Sequence, residues 1–468
     1  MDTILIQNTL VTATMDDDGT EFSGGHIFIE DGIIKSIGTT AYNGSADRII
    51  DAAGMVVLPG FVNTHHHLYQ TLTRNIPLMQ SEPLFSWLTH HYEVWRELTA
   101  QAVKTSTTTG LLELMKSGVT TSSDHLYLFP HKTSSDLIDV EIESARDLGI
   151  RFQPTRGSMS LGKSKGGLPP DDTVQTEAEI QKDTERLLAR YHDDSPGAMV
   201  RISLAPCSPF SVTDELMRST AHFARDNQLM IHTHLAETLD EENFCLETIG
   251  RRPVAYMDKL DWLSSNSWYA HCVHLNDEEI QLMGDRQVGV SHCPSSNMRL
   301  GSGIARIREL LAAGVKVSLG VDGSASNDAS NMLLEMRNAM LLSRLRSEEF
   351  WLSARHVLQM ATRGGAAALG RDDIGQLVAG KQADIAIFNM NCLEYAGGMS
   401  DPLAALVFNV RIRPVDILIV NGRIQLQNGE SSVDESQLVA EHNRISSDML
   451  IRAQQNTGIK FKNHVDIH

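Results

Sequence analysis

Cysteine is the first scarcity. The 468 residues include five, at positions 207, 245, 272, 293 and 392, and no two form a CxxC pair. An odd, scattered set excludes a disulfide framework and fits the reduced thiols of a cytoplasmic protein. Proline is also sparse, 14 residues against 34 glycines, and no low-complexity stretch or short repeat interrupts the chain. With 41% hydrophobic and 21% charged residues the composition is that of an ordinary globular protein, which excludes disordered and fibrous classes. Cations are outnumbered, 40 Lys and Arg against 59 Asp and Glu, for a net charge of −19. A phosphate backbone needs a basic surface, so nucleic acid is not an expected partner. No run approaches the roughly 18 apolar residues of a membrane span. The opening "MDTILIQNTLVTATMDDDG" has neither the basic segment nor the apolar core of a secretory signal. A soluble cytoplasmic protein is expected.

The length suits one barrel-sized domain plus a smaller one. From residue 53 to about 324, eight β-branched runs alternate with helical patterns. The runs are "GMVVLPGFVNTHHH", "GVTTSSDHLY", "GIRFQPTRG", "MVRISLAPCSP", "LMIHTHLAE", "SWYAHCVHL", "VGVSHCPSSN" and "GVKVSLGVDGS". Between them lie "DLIDVEIESARDLG", "TEAEIQKDTERLLARYHDD", "TDELMRSTAHFARDN" and "IARIRELLAAG". Alternation of this kind gives βαβ units, and eight of them predict a closed (β/α)8 barrel of TIM type. An open doubly wound sheet would need a Gly-rich phosphate loop after its first strand, and none is present. The flanks, including "TILIQNTLVTAT", "GHIFIEDGIIKSIG", "VAGKQADIAIFN" and "VDILIVNGRIQLQNG", read as period-two strands joined by Gly-containing turns. The expected α/β architecture is a barrel over 58–374, a small β-sandwich made jointly by 1–57 and 375–430, and a helical tail over 431–468. A homodimer is the base-rate expectation for the assembly.

The stretch "VNTHHHLYQ", residues 62–70, stands at the C-terminal end of the first run. Strand residues i and i+2 share a face, so His65 and His67 point to the barrel axis and His66 away from it. Barrel chemistry gathers at these strand ends. The fifth run adds His232, His234 and, three residues on, Glu237; the sixth adds His271; the eighth adds Asp322. Three histidines and one carboxylate suffice to hold one divalent ion and leave a position for water.

Taken together, "PGFVNTHHH", "HTHLAE", "AHCVH" and "GVDGSASND" resemble the amidohydrolase superfamily over essentially the whole chain. Within it, "HHHLYQTLTR", "LAPCSPFSVT", "HTHLAETLDEE" and "HCPSSNMRL" are most similar to 8-oxoguanine deaminases, with guanine, isoxanthopterin and hydroxytriazine aminohydrolases near them. The resemblance implies that His65, His67, His234 and Asp322 ligate the metal, that Glu237 shuttles protons, and that His271 holds the hydroxide or substrate. The lysine that accompanies a second metal in such barrels is missing from "VRISLAPCSPF", so one metal is implied, zinc first and iron second. A metal-bound water with its pKa lowered toward ~7 suits hydrolysis of an N=C–NH2 carbon. The implied reaction is deamination of an oxidised purine, 8-oxoguanine to urate and ammonia, with isoxanthopterin, guanine or an aminotriazine as alternatives. A catalytically silent scaffold of the same fold is the expectation from another class, and cyclic-amide hydrolysis ranks below both.

For the small heterocyclic substrate, Gln70 offers an amide that both donates and accepts, in the position where guanine deaminases are similar. Arg74 and Arg156 are candidate cationic donors, and Tyr127, Trp87, Tyr92 and Trp95 candidate walls. Cys207 departs from the arginine usual in guanine deaminases. His232, His274 and His292 are expected to be packed behind the site, Asp124 and His125 are open, and the acidic run Asp240–Glu242 reads as a solvated helix face.

Overall fold

The structure, a computed structural model, describes residues 3–133, 136–346, 350–410 and 413–462. Eight parallel strands follow one another around a barrel: Phe61–Asn63, Val119–Leu126, Arg151–Ser158, Ser203–Pro206, Ile231–Leu235, Ser267–His271, Gly289–His292 and Lys316–Leu319, called barrel strands one to eight below. Closure lies between the eighth and the first. Thr64 N–H donates to Leu319 O (3.1 Å) and Asp322 N–H to His65 O (3.0 Å). Helices cover the outside and side chains fill the inside, so every residue of strands two and three is buried. The intervening helices stop and start where their chemistry requires. Leu137–Leu148 ends at Gly149 with φ +69°, and Glu177–Tyr191 opens on a reciprocal Thr176–Glu179 capping box.

The first predicted strand divides in two. Met55–Pro59 leaves the barrel and pairs antiparallel with Ile385–Asn389, while Phe61–Asn63 opens the barrel beside strand two. The division falls at Gly60, where a Cβ would stand 2.2 Å from the Thr120 side chain. The backbones approach too closely there for any other residue.

The flanks combine into two sheets. Ile33–Gly38, His26–Glu30, Thr3–Gln7 and Arg48–Asp51 form one; Arg423–Gln427, Ile417–Val420, Ile385–Asn389, Met55–Pro59, Val11–Ala13 and Glu21–Phe22 form the other. Their facing sides share a core of Ile4, Ile6, Ile27 and Ile29 against Val57, Ile385, Ile387 and Ile419. Alternate residues of the second sheet (Val56, Leu58, Ala386, Phe388, Leu418) join the barrel's core. Period-two alternation thus glues one sheet to two neighbours.

The tail helix, Glu435–Thr457, lies across the outside of the first barrel loop. His442 Nε2 donates to Thr71 O (3.0 Å), and Ser446 Oγ donates to Leu72 O (2.6 Å). Among the described residues no helix is long and apolar enough to cross a membrane.

Candidate active site

At the C-terminal mouth of the barrel, four imidazoles converge with one carboxylate. Their protonation follows from what each outer nitrogen touches. His67 Nδ1 faces His125 O (2.8 Å) and His234 Nδ1 faces Cys207 O (2.5 Å). A carbonyl only accepts, so both Nδ1 atoms carry hydrogen and both Nε2 atoms are bare lone pairs. His232 Nδ1 likewise donates to Trp268 O (2.9 Å), which leaves its Nε2 to accept from His65 Nδ1 (2.8 Å). His65 Nε2 is therefore bare as well, and it is buried with no hydrogen-bond partner. His232 is the layer behind His65.

The bare nitrogens meet. His67 Nε2 lies 3.1 Å from His234 Nε2, and Asp322 Oδ1 lies 3.3 and 3.4 Å from the Nε2 atoms of His65 and His67. Lone pairs so close repel unless a positive centre joins them. Three neutral imidazoles with one carboxylate are a donor set for zinc or a similar divalent ion. Burial pushes the imidazole pKa values of His65, His67 and His234 down, the last to about 3, so they remain neutral ligands. Burial opposes the charge on Asp322, and a cation between it and the bare Nε2 atoms would offset that cost. The residues present fit the metal.

His271 stands on the other side. Its Nδ1 is 2.9 Å from Asn297 Oδ1, and its Nε2 lies 3.5 Å from Glu237 Oε2 and 3.9 Å from Asp322 Oδ2. Glu237 is buried and pushed up to about 7, chiefly by desolvation, with Asp322 and Glu241 adding to the rise against the pull of His271. A carboxyl that exchanges its proton near neutral pH is suited to general acid–base work. Asn297, which orients His271, was not singled out from the sequence; it sits in "HCPSSN" after strand seven, and only the fold brings it to strand six.

The backbone here is strained. Ala236, His271, Cys272 and Asp322 have φ of 51°, 73°, 50° and 64°, a left-handed conformation that costs a non-glycine residue about 1–3 kcal/mol. His271 ends strand six, Cys272 and Ala236 directly follow strands six and five, and Asp322 lies three residues past strand eight, so the bends turn the chain across the mouth.

A narrow cavity opens onto the cluster. Its floor is His67, His234, Glu237, His271 and Asp322, and its wall includes Gln70, Tyr127, Cys207, Leu84, Trp87, Leu88, Tyr92, Phe210 and Leu300. Gln70 Oε1 is buried without a partner, and Gly323 makes room for it, since a Cβ there would come within 1.9 Å. The Cys207 thiol, pushed up to about 12 by burial, is neutral.

Both arginines expected as substrate contacts lie elsewhere. Arg74 turns away from the cavity to Glu113 (2.5 Å) and Ser324 Oγ (3.2 Å) under the tail helix. Arg156 lies on the outer face of strand three, where its guanidinium pairs with Asp183 (2.6 Å), bonds Gln175 (2.8 Å) and stacks over Phe129. Neither reaches the mouth. A buried guanidinium needs a carboxylate partner, and the helix Glu177–Tyr191 supplies one outside the barrel. Trp95 also misses the cavity and donates its indole N–H to Thr73 Oγ1 (3.0 Å). The run Asp240–Glu242 is solvated only in part: Asp240 is exposed, whereas Glu241 is buried and Glu242 pairs with Arg252. His274 and His292 lie off the cluster; the former bonds Ser302 O. His125 brings a ring nitrogen within 4.8 Å of those of His65, His67 and His234.

The pattern described as the amidohydrolase family matches residues 56–425. The chain belongs to the amidohydrolase family. This amidohydrolase is 47% identical over 449 residues to a Pseudomonas aeruginosa protein named 8-oxoguanine deaminase, covering 95% of this chain and 98% of that one. It is 34% identical to an isoxanthopterin deaminase of an unknown prokaryote, covering 93% and 94%. Among solved structures, the atrazine chlorohydrolase TrzN from Arthrobacter aurescens TC1 complexed with zinc superposes with a TM-score of 0.90 at 36% identity, covering 95% of this amidohydrolase and all of the other chain.

Proposed function

We propose that this amidohydrolase hydrolyses 8-oxoguanine to urate and ammonia, using one zinc ion held by His65, His67, His234 and Asp322. The observation that carries the reading is the meeting of three bare Nε2 atoms, those of His65 and His67 within 3.4 Å of Asp322 and that of His234 3.1 Å from His67, with a protonatable Glu237 beside them. The purine is chosen because the named relative at 47% identity covers nearly the whole chain.

When bound, the ion supplies a water activated near neutral pH. The Asp322 carboxylate would accept a proton of the attacking water, and His271 would orient that water. Glu237 gives its proton to the ring nitrogen of the N=C–NH2 unit while the carbon becomes tetrahedral, then takes the proton of the new hydroxyl and hands it to the amine, and the proton held by Asp322 restores Glu237. A C–O bond forms, the exocyclic C–N bond breaks, and ammonia leaves. Gln70 pairs with a lactam edge through the acceptor that has no partner among the described residues. The Leu84, Leu88, Phe210 and Leu300 side chains clasp the ring faces and keep bulk water out.

Ammonia release from a panel of 8-oxoguanine, guanine, isoxanthopterin and hydroxyatrazine, on protein of measured metal content, tests the reading. The expected result is the highest kcat/KM on 8-oxoguanine and about one zinc per chain. Failure on every purine and pterin overturns the substrate, and a metal-free, inactive protein favours a silent scaffold.

A further inference from the structure

Glu241 is a carboxylate with an unusual set of neighbours. It sits in the third position of the short helix Leu239–Phe244, whose N-cap is Thr238. In a Thr-x-x-Glu capping box the glutamate turns back to the N–H of the cap residue. Here it reaches further. Glu241 Oε1 accepts from Ala236 N–H (2.8 Å) and Oε2 accepts from Glu237 N–H (2.8 Å). The side chain is 1% exposed, so both bonds form away from water, where a carboxylate–amide bond is strong and its loss leaves two amides unsatisfied.

These two amides flank the strained residue of strand five. Ala236 is left-handed at φ 51°, and its carbonyl is held from the other side by Val273 N–H and His274 N–H, each at 2.9 Å. One peptide is thus clamped from both faces, and Glu237 grows out of it. Without the bend, a strand continuing past Leu235 would carry the Glu237 carboxyl elsewhere. We infer that Glu241 is a positioning residue that fixes the backbone of Glu237, so that the Glu237 carboxyl stays beside His271 and Asp322. The inference rests on the proposed role of Glu237 and deepens it: two glutamates four apart divide the labour, one moving protons and one holding the mover.

The test is a double-mutant cycle on the zinc-loaded full chain, read by ammonia release and metal analysis. Glu241→Gln keeps the size but presents an amide donor to one N–H, so one bond becomes a clash. The expected result is a kcat lower by about 10- to 100-fold, the scale of a misplacement near 1 Å, with KM within about twofold and zinc content unchanged. In the Glu237→Gln background the same change is expected to have no further effect, because a group that acts only through Glu237 has nothing left to position. Equal losses in both backgrounds, or wild-type kcat in Glu241→Gln, overturn the inference. If Glu237→Gln itself turns over normally, it is the proton-shuttle reading that fails. Should Glu241→Gln not fold, hydrogen exchange of the unaltered protein decides: the Ala236 and Glu237 amides are expected to be protected to the level of strand five, and rapid exchange there sinks the proposal.

Discussion

Each imidazole proposed to hold the metal is tied by its far nitrogen, His65 to His232, His67 to His125 O and His234 to Cys207 O. The wall facing this floor is apolar for the most part and is carried by the helix Leu84–Trp95 and the loops around Phe210 and Leu300, with Gln70, Tyr127, Cys207 and two serines as its polar points. The floor is over-determined; the wall is a surface of shape. Reaction and selectivity are therefore stored in different parts of the mouth. The relatives carry names that differ in just this respect, one for an oxidised purine, one for a pterin and one for a hydroxydechloroatrazine.

Four experiments press on that contrast. Stripping the metal with a chelator is expected to abolish turnover on every substrate and to lower Tm, with both restored by added zinc; full activity in metal-free protein would erase the floor as described. Next in size, Glu237→Gln is expected to retain its zinc and lose about 10²–10⁴-fold in kcat, by the same factor for each heterocycle, since proton transfer is common to them. A wall change behaves otherwise. Gln70→Ala is expected to raise KM by roughly tenfold or more for lactam-bearing rings, the scale of one lost hydrogen bond in a dry site, and much less for triazines without a matching edge. A uniform loss across the panel would place Gln70 in the floor.

The smallest effect concerns stability. Asp124, on strand two, accepts from Leu68 N–H (2.7 Å) and shares a buried contact with Glu141. Desolvation raises both carboxyls, Asp124 to about 7; the Asp124 charge raises Glu141 further, while the hydrogen bond from Glu141 draws Asp124 part of the way back. Their folded pKa values exceed the unfolded ones, near 4, so the folded state holds more protons between those limits. Stability from this pair is full below about pH 4 and is lost as pH rises through 7, at about 1.4 kcal/mol per pH unit for each proton. Glu141→Gln, which can donate to Asp124 without a titrating proton, is expected to flatten that slope in denaturant titrations between pH 5 and 8.

The legible parts of this molecule are those written in short periods. Alternation at period two puts His65, His67 and His234 on one interior, and the strand–helix rhythm gives the closed barrel. The same rule, applied to Arg156, puts it outside; a cation near a strand end reads as a substrate donor only while the place of Asp183 is unknown. Arg74 misleads for the same reason, its Glu113 partner being 39 positions away. Glu241 carries a local sign, the Thr238-x-x-Glu pattern, yet its acidic neighbours make it look solvated. Asn297 carries none, because its contact with His271 exists only once strands six and seven are adjacent.

The tail helix has a temporal implication. Thr71 and Leu72, which follow Gln70 in the same turn, find donors for their carbonyls in His442 and Ser446, 371 and 374 positions later. A ribosome adds those donors long after the turn they hold. The barrel can assemble while synthesis continues, but the turn that carries Gln70 gains these two donors only once the chain has passed residue 446.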